Sequence, residues 1–332
     1  MSSTEPLSGI GRAHLAERAM KGPFRIGLVG GGRMGRTHIR ALDASSSVRI
    51  VAVAEPFEVT ADKLRESGHT VYPSLSAMLE KGGLDGVLVA APTDLHLGVV
   101  GQIAAAGLPI LCEKPCGLNA ADAREAANIV SRYGVPLQVA YWRRFVPALQ
   151  DLRRRIATGE MGTLHFIICA QWDEVPPGMD FRAHSGGIFV DMGVHEVDQI
   201  RWLTAQEIGH VSVSRFPTVE DPQAVGDVDS AQALLTLGDG SSALVSLGRF
   251  HPGGDLVSAE VYGSRGHQRV DVLLPAFGEG PQLEALRRQA EAFARWALGG
   301  VAEGATIEDA IAALVVAHQL SNAAGLSVLG QG

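Results

Sequence analysis

Two clusters in this chain have the residue types and spacing to do chemistry. The first is Glu113-Lys114-Pro115, directly after an apolar run that ends at Cys112. A lysine at the carboxyl end of a strand points into the crevice where ligands of parallel sheets lie. Partial burial, and a positively charged ligand in that crevice, would both lower its pKa, making it a usable proton donor or acceptor. From position alone a surface lysine reads equally well. The second cluster is Gly186-Gly-Ile-Phe-Val-Asp191-Met-Gly-Val-His195-Glu-Val-Asp198. On a helix Asp191 and His195 share one face. A carboxylate beside an imidazole orients the ring and stabilises its cation, which suits proton transfer from a bound hydroxyl. The plain alternatives are a helix cap at Asp191 and a packed histidine at His195. No third ligand is marked by spacing, so no metal is expected.

The elements around these clusters supply a dinucleotide site. Phe24-Arg-Ile-Gly-Leu-Val-Gly30-Gly-Gly32-Arg-Met-Gly35 is an apolar strand feeding a G-x-G-x-x-G turn and then a helical pattern. Gly30 allows the tight turn, Gly32 lets the backbone approach a pyrophosphate, and Gly35 lets helix and strand pack closely. The helix start, with Arg33 and Met34, presents N–H groups to the negative charge. A second apolar run, Val48–Ala54, ends at Glu55, an acid placed to accept both ribose hydroxyls. The motif fits a nicotinamide or flavin dinucleotide, and a carboxylate at Glu55 favours NAD over NADP because it repels a 2′-phosphate. A solvated acid at a strand end is the plain alternative.

Strand and helix patterns alternate from Phe24 to about Tyr141, which means a doubly wound parallel sheet. Expected strands are Phe24–Val29, Val48–Ala54, Gly86–Ala90, Pro109–Cys112 and Leu137–Tyr141. After a helix at about Val146–Thr158 the period changes to a run of strands, Thr163–Trp172, Val211–Phe216, Asp229–Leu237, Ser241–Phe250, Val257–Tyr262 and Gln268–Val272, with one strong helix at Gly193–Leu203 among them. This predicts an α+β domain with a large, open, mostly antiparallel sheet. Two last helices, Gln282–Leu298 and Ile307–Leu326, are expected to cover the junction. The expected division is an extension over 1–22, a dinucleotide domain over 23–144 and a substrate and oligomerisation domain over 145–332. With 28 basic and 36 acidic residues, a net charge of −8, nucleic acid and anionic membrane are poor partners. The extension lacks the apolar stretch of an export signal, and three cysteines at no metal spacing read as reduced thiols, so a cytoplasmic protein is expected.

Taken together, the ordered motifs resemble the Gfo/Idh/MocA oxidoreductases, relatives of glucose–fructose oxidoreductase and inositol dehydrogenase. The resemblance runs from Phe24 to the C-terminus. It rests on Gly30-Gly-Gly-Arg-Met-Gly35, Ala91-Pro-Thr-Asp-Leu-His96, Glu113-Lys114-Pro115, Gly186-Gly-Ile-Phe-Val-Asp191-Met-Gly-Val-His195 and, less strongly, Glu260-Val-Tyr-Gly-Ser-Arg-Gly266. It implies a Rossmann domain, NAD(P)-dependent oxidation of a secondary alcohol on a sugar or cyclitol, and a homo-oligomer built through the C-terminal sheet. Lys114 matches the family's catalytic lysine, His195 its catalytic histidine and Asp191 the acid accompanying it. Pro92, Thr93, His96 and Glu113 fall where the family lines the nicotinamide. Trp142-Arg143-Arg144-Phe145 resembles the Arg-Phe segment, with Arg143 at a polyol-contacting position. Gln171-Trp-Asp173-Glu-Val-Pro176-Pro177 and Ser185-Gly-Gly-Ile-Phe189 are most like the inositol branch and place a carboxylate at Asp173.

Two departures face the substrate side. Inositol dehydrogenases tend to carry tyrosines where this chain has Phe250-His-Pro-Gly-Gly-Asp255, and a methionine where it has Trp142. A flat wall at Trp142 suits the C–H face of a pyranose. The expected function is therefore an NAD-dependent cyclitol dehydrogenase, with a dehydrogenase or reductase of a pyranose or sugar acid as the alternative. A non-catalytic dinucleotide sensor is the alternative of another class. Retention of Lys114, Asp191 and His195 together speaks against the sensor.

Overall fold

The computed structural model describes residues 22–217 and 226–326, so the extension expected over 1–22 lies, apart from Gly22, outside the described residues. The chain divides into two compact units. In the first, strands β1 (Phe24–Val29), β2 (Val48–Ala54), β3 (Val71–Tyr72), β4 (Gly86–Val89), β5 (Ile110–Cys112) and β6 (Leu137–Val139) form one sheet in the order β3-β2-β1-β4-β5-β6. Every pairing in it is parallel. Parallel strands are covered on both faces and so read as near-continuous apolar runs, as the buried Ile26, Leu28, Val87, Leu88 and Leu111 show. The order reverses between β1 and β4, which is where such sheets bind their ligands. Strand β3 was not expected; two residues are too few to show a period.

Helices α1 (Arg33–Asp43), α2 (Glu58–Glu66), α3 (Leu75–Lys81), α4 (His96–Ala105) and α5 (Ala120–Tyr133) connect the strands. The segment Leu286–Glu308 also belongs to this unit. Its Ala290, Phe293, Ala294 and Ala297 complete the core made by Phe24, Ile26, Leu28 and Leu111. Phe293 meets Phe24 edge-on with ring centroids 6.0 Å apart.

In the second unit β7 (Leu164–Trp172), β8 (Ile208–Pro217), β9 (Val228–Leu237), β10 (Ser242–Gly248), β11 (Leu256–Gly263) and β12 (Gly266–Leu273) form a sheet in the order β12-β11-β7-β10-β9-β8. Only β7 and β10 run parallel; the other pairings are antiparallel. The β9–β10 hairpin turns through Gly238-Asp-Gly240, where Gly240 has φ +88° and the Asp239 carboxylate accepts from the Ser241 N–H (2.9 Å) and hydroxyl (2.6 Å). Alternation is clear along the central stretches of β7, β9 and β10. Ile167, Cys169, Ala233, Leu235, Ala243, Val245, Ala259 and Val261 are buried on one face, while Phe166, Ile168, Leu234, Leu244 and Tyr262 lie at least partly open on the other. Helices α6 (Pro147–Ala157), α7 (Met179–His184) and α8 (Val194–Thr204) lie within this unit, and α8 packs on β7. The last two helices are α9 (Gly280–Ala297) and α10 (Ile307–Ala323).

Candidate functional site

In the first unit the dinucleotide turn has the geometry its glycines imply. Gly30 sits at φ +93°, and a Cβ there would lie 2.6 Å from the Ala90 carbonyl oxygen. A Cβ on Gly35 would overlap the Gly30 carbonyl, so the helix can approach the strand only without one. Gly32 is the N-cap of α1, no side chain caps it, and open space surrounds its missing Cβ. Arg33, exposed, and Met34, half-buried, occupy the first turn. The uncapped N–H groups of that turn fit a pyrophosphate. Glu55 is buried at the end of β2, its two oxygens accepting from the Gly31 N–H (2.7 Å) and the Phe57 N–H (2.9 Å). A carboxylate has about four lone-pair sites, so both oxygens keep capacity for a ribose hydroxyl. The residues present therefore fit NAD.

Pro92 and Thr93 open a short turn after β4, and His96 begins α4. His96 is buried and faces two carbonyl oxygens, Pro115 O through Nδ1 (2.8 Å) and Ala91 O through Nε2 (2.9 Å). Burial lowers its pKa, with the two carbonyls pulling the other way. Glu113 is buried too, and the Lys114–Pro115 peptide is cis. Lys114 is half-buried, between Glu113 and Pro115. Thus His96 and Glu113, expected to line the nicotinamide, make their bonds to the backbone that carries Lys114.

In the second unit Asp191 lies in a wide helical turn, Phe189–Gly193, with i→i+5 hydrogen bonding, which leads directly into α8 and His195. Such turns concentrate at functional sites. The expected plain α-helix from Gly193 thus begins earlier and with a different pitch. The Asp191 carboxylate accepts from Arg249 Nη1 at 2.5 Å. Arg249 is fully buried and also pairs with fully buried Asp227 (3.1 Å). Asp227 in turn accepts from Arg182 Nε (2.8 Å), whose Nη1 reaches Asp229 (3.0 Å). Burial would depress the Arg249 pKa, but Asp191 and Asp227 more than offset it and hold the pKa above the ordinary value. His195 is buried and meets the ring of Tyr141 edge-on, centroids 5.8 Å apart.

The expected substrate residues are placed differently from one another. Asp173 follows β7 and is partly open; burial raises its pKa, while Gln171 and Arg249 pull it down. Gln171 Nε2 donates to it at 3.2 Å. Trp142 and Arg143 are both buried. The Arg143 guanidinium is taken up by Glu196 Oε1 and Gln171 Oε1, each at 2.6 Å, and it lies 5.9 Å from the Trp142 ring centroid. Arg143 therefore reaches Asp173 through Gln171. Arg249, Asp227, Gln171 and Glu196 were missed by sequence reasoning, and no spacing marks them, because each is defined by a partner from a distant element.

Removing the cation that Asp191 and Asp227 share should be costly. Arg249→Met is expected to destabilise the protein by about 3–5 kcal/mol, the range for breaking a buried ion pair from one side. Urea unfolding monitored by circular dichroism checks this; a loss under about 1 kcal/mol would show that the arginine is dispensable to the fold.

Comparison with known proteins agrees with this geometry. Residues 24–141 match the oxidoreductase family with the NAD-binding Rossmann fold, and 149–269 match the GFO/IDH/MocA C-terminal domain. The chain is 49% identical over 295 residues to the rhizopine catabolism protein MocA of Rhizobium meliloti, covering 89% of this chain and 93% of that one. It is 34% identical over 297 residues to the myo-inositol dehydrogenase Hyg17 of Streptomyces leeuwenhoekii, covering 84% and 90%. Among solved structures, myo-inositol 2-dehydrogenase of Lactobacillus plantarum superposes with a TM-score of 0.82 at 27% identity, covering 91% and 97%. Matched by both family models and by a relative at 49% identity, the chain belongs to the Gfo/Idh/MocA oxidoreductase family, whose first domain is an NAD-binding Rossmann fold.

Proposed function

We propose that this protein is an NAD-dependent dehydrogenase that oxidises a secondary hydroxyl of a cyclitol. The observation that carries the reading is the turn at Phe189–Gly193. It holds Asp191 against a fully buried arginine and runs straight into the helix bearing His195. Gly30, Gly32, the uncapped first turn of α1 and Glu55 would hold NAD, which would supply the acceptor for the carbinol hydride. His195 takes the hydroxyl proton, so that C–H and O–H bonds break together and a ketone forms. Lys114, in the first unit, is the second candidate acid–base group, as the family resemblance implies. Asp191, fixed by Arg249, is the acid four residues before His195 on the same helical segment and is assigned to accompany it. Asp173 accepts from a hydroxyl remote from the reacting carbon, a role that suits a ring bearing hydroxyls all round. Relatives named as myo-inositol dehydrogenases support the cyclitol class. The relative at 49% identity is named for rhizopine, which therefore belongs in the substrate panel.

The test is a panel of inositols, rhizopine and aldopyranoses, followed by reduced-cofactor absorbance with NAD and with NADP. Turnover of a cyclitol with NAD preferred is expected, and none of 2-propanol. Lys114→Ala and His195→Ala should each lower kcat by about 10²–10⁴-fold, the usual worth of a general acid or base. Bound-NADH fluorescence should give near-normal affinity in both. Retention of more than half the kcat by the His195 variant would leave the imidazole a packing role. No turnover of any panel member would favour a sensor.

Asp173 generates a second prediction with opposite signs for stability and binding. Its raised pKa means the fold prefers it neutral. The resulting cost is absent below the unfolded carboxyl pKa and appears as pH rises through that value toward the raised folded one. Asp173→Asn should therefore raise Tm at about pH 8 but not at about pH 3. Lost hydroxyl binding should raise the polyol KM more than it lowers kcat. An unchanged KM would remove Asp173 from the substrate.

We also propose that the open face of the second sheet, with Phe166, Ile168, Leu234 and Leu244, is covered by a second copy of the chain. Apolar faces of this kind on soluble proteins mark interfaces. Light scattering should give a dimer or larger, and Leu234→Arg should shift it to smaller species; a monomeric wild type would retire this proposal.

A further inference from the structure

Lys114 sits on a loop whose flanking residues are gripped by two buried histidines, one at the Glu113 side chain and the other at the Pro115 carbonyl. His38 is fully buried on α1, the helix that begins at the Gly32 turn. Its Nε2 lies 2.7 Å from Glu113 Oε1. The other oxygen, Oε2, accepts the backbone N–H of Lys114 at 3.1 Å. A carboxylate only accepts, so the ring proton of His38 is on Nε2, consistent with an Nδ1 that has no partner among the described residues. The backbone of Glu113 is tied separately, its N–H donating to Val89 O at 2.8 Å. Beyond Lys114, His96 meets the Pro115 carbonyl at 2.8 Å.

From this arrangement we propose that His38 is a positioning residue for Lys114, acting through the Glu113 carboxylate. The chain of contacts is short and complete: imidazole N–H to carboxylate, carboxylate to the N–H of the lysine itself. Without the imidazole, Oε1 of a buried carboxylate loses its donor, and an unpaired buried charge moves to find another. Rotation of that carboxylate withdraws one acceptor from the Lys114 N–H and loosens the lysine's backbone. Displacement of a reacting group by about 1 Å costs on the order of 10²-fold in rate. Because His38 lies on the helix whose first turn faces the pyrophosphate, the element that orients the cofactor also sets the lysine. The proposal rests on the reading of Lys114 as a catalytic group.

The experiment compares His38→Ala, His38→Gln, Lys114→Ala and the double variant His38→Ala/Lys114→Ala. Glutamine places its amide nitrogen about where Nε2 lies, so it can still donate to Glu113. His38→Ala is expected to lower kcat about 10–100-fold with NADH affinity within about threefold of wild type. His38→Gln should recover to within about threefold, and the double variant should be no slower than Lys114→Ala alone. A readout free of turnover accompanies these: hydrogen exchange at the Lys114 amide should quicken in His38→Ala and be restored in His38→Gln. If the alanine variant does not fold, His38→Asn, too short to reach Glu113, replaces it. The proposal is overturned if the two losses multiply, if His38→Ala keeps wild-type kcat, or if glutamine fails to restore either rate or amide protection. Wild-type kcat in Lys114→Ala would instead overturn the catalytic reading of the lysine, whatever the His38 variants do.

Discussion

A charge removed from water must be answered by an opposite charge and by hydrogen bonds, and the second unit is arranged around that demand. Arg143, Arg144, Arg182 and Arg249 are 3%, 7%, 4% and 0% exposed. Each is met by acids from other elements: Arg143 by Glu196, Arg144 by Asp198 and Asp309, Arg182 by Asp227 and Asp229, Arg249 by Asp191 and Asp227. Burial pushes the Glu196 and Asp198 carboxyls up, and their arginines pull them back. Such pairs add little net stability over well-packed apolar groups, yet a missing partner is expensive. Their effect is selective. Glu196 and Asp198 fix α8, and with it His195, against the segment Trp142–Phe145, while Arg249 fixes the turn at Asp191 to the sheet.

The first unit positions its groups by a different means, through the backbone. Gly30 and Gly35 admit a close helix–strand approach, Glu55 is held by two N–H groups, and the loop carrying Lys114 is held by a carboxylate and a carbonyl.

This contrast also explains what was legible in the sequence. The parallel sheet was readable because strands covered on both faces show as apolar runs, and the second sheet because its strands alternate. The dinucleotide turn carries its own glycine spacing, and Lys114, Asp191 and His195 stand in motifs. Illegible were features that depend on a partner or on pitch. Nothing in the α9 pattern says that Phe293 packs on Phe24 in the first unit. Hydrophobic spacing does not separate the wide turn at Phe189–Gly193 from an α-helix. Trp142 and Arg143 stand in a motif, but position along the chain does not give burial, and both are buried. Arg249 ends a strand as an ordinary surface arginine would; only Asp191 and Asp227, from two other elements, make it central.

The two acids on the polyol side are compensated unequally, and that difference bears on what the site can receive. Asp191 has a buried guanidinium at 2.5 Å. Asp173 has no ion-pair partner among the described residues; its side chain receives one hydrogen bond, from the Gln171 amide at 3.2 Å. The direction of that amide is fixed, since Arg143 occupies Gln171 Oε1 and leaves only Nε2 to face Asp173. Glu196, next to His195, anchors Arg143 at the far end. The chain Glu196–Arg143–Gln171–Asp173 therefore runs from the neighbour of the proposed base to a carboxylate with unfilled acceptor sites. An apolar ligand would leave that half-buried carboxylate poorly solvated, at a cost of order 1–3 kcal/mol or more. A ligand with hydroxyl donors satisfies it. On the proposed reading, discrimination for a polyhydroxylated ring would follow from leaving one acid without a cation, and Arg143, by fixing the Gln171 amide, keeps that acid's one hydrogen bond in place.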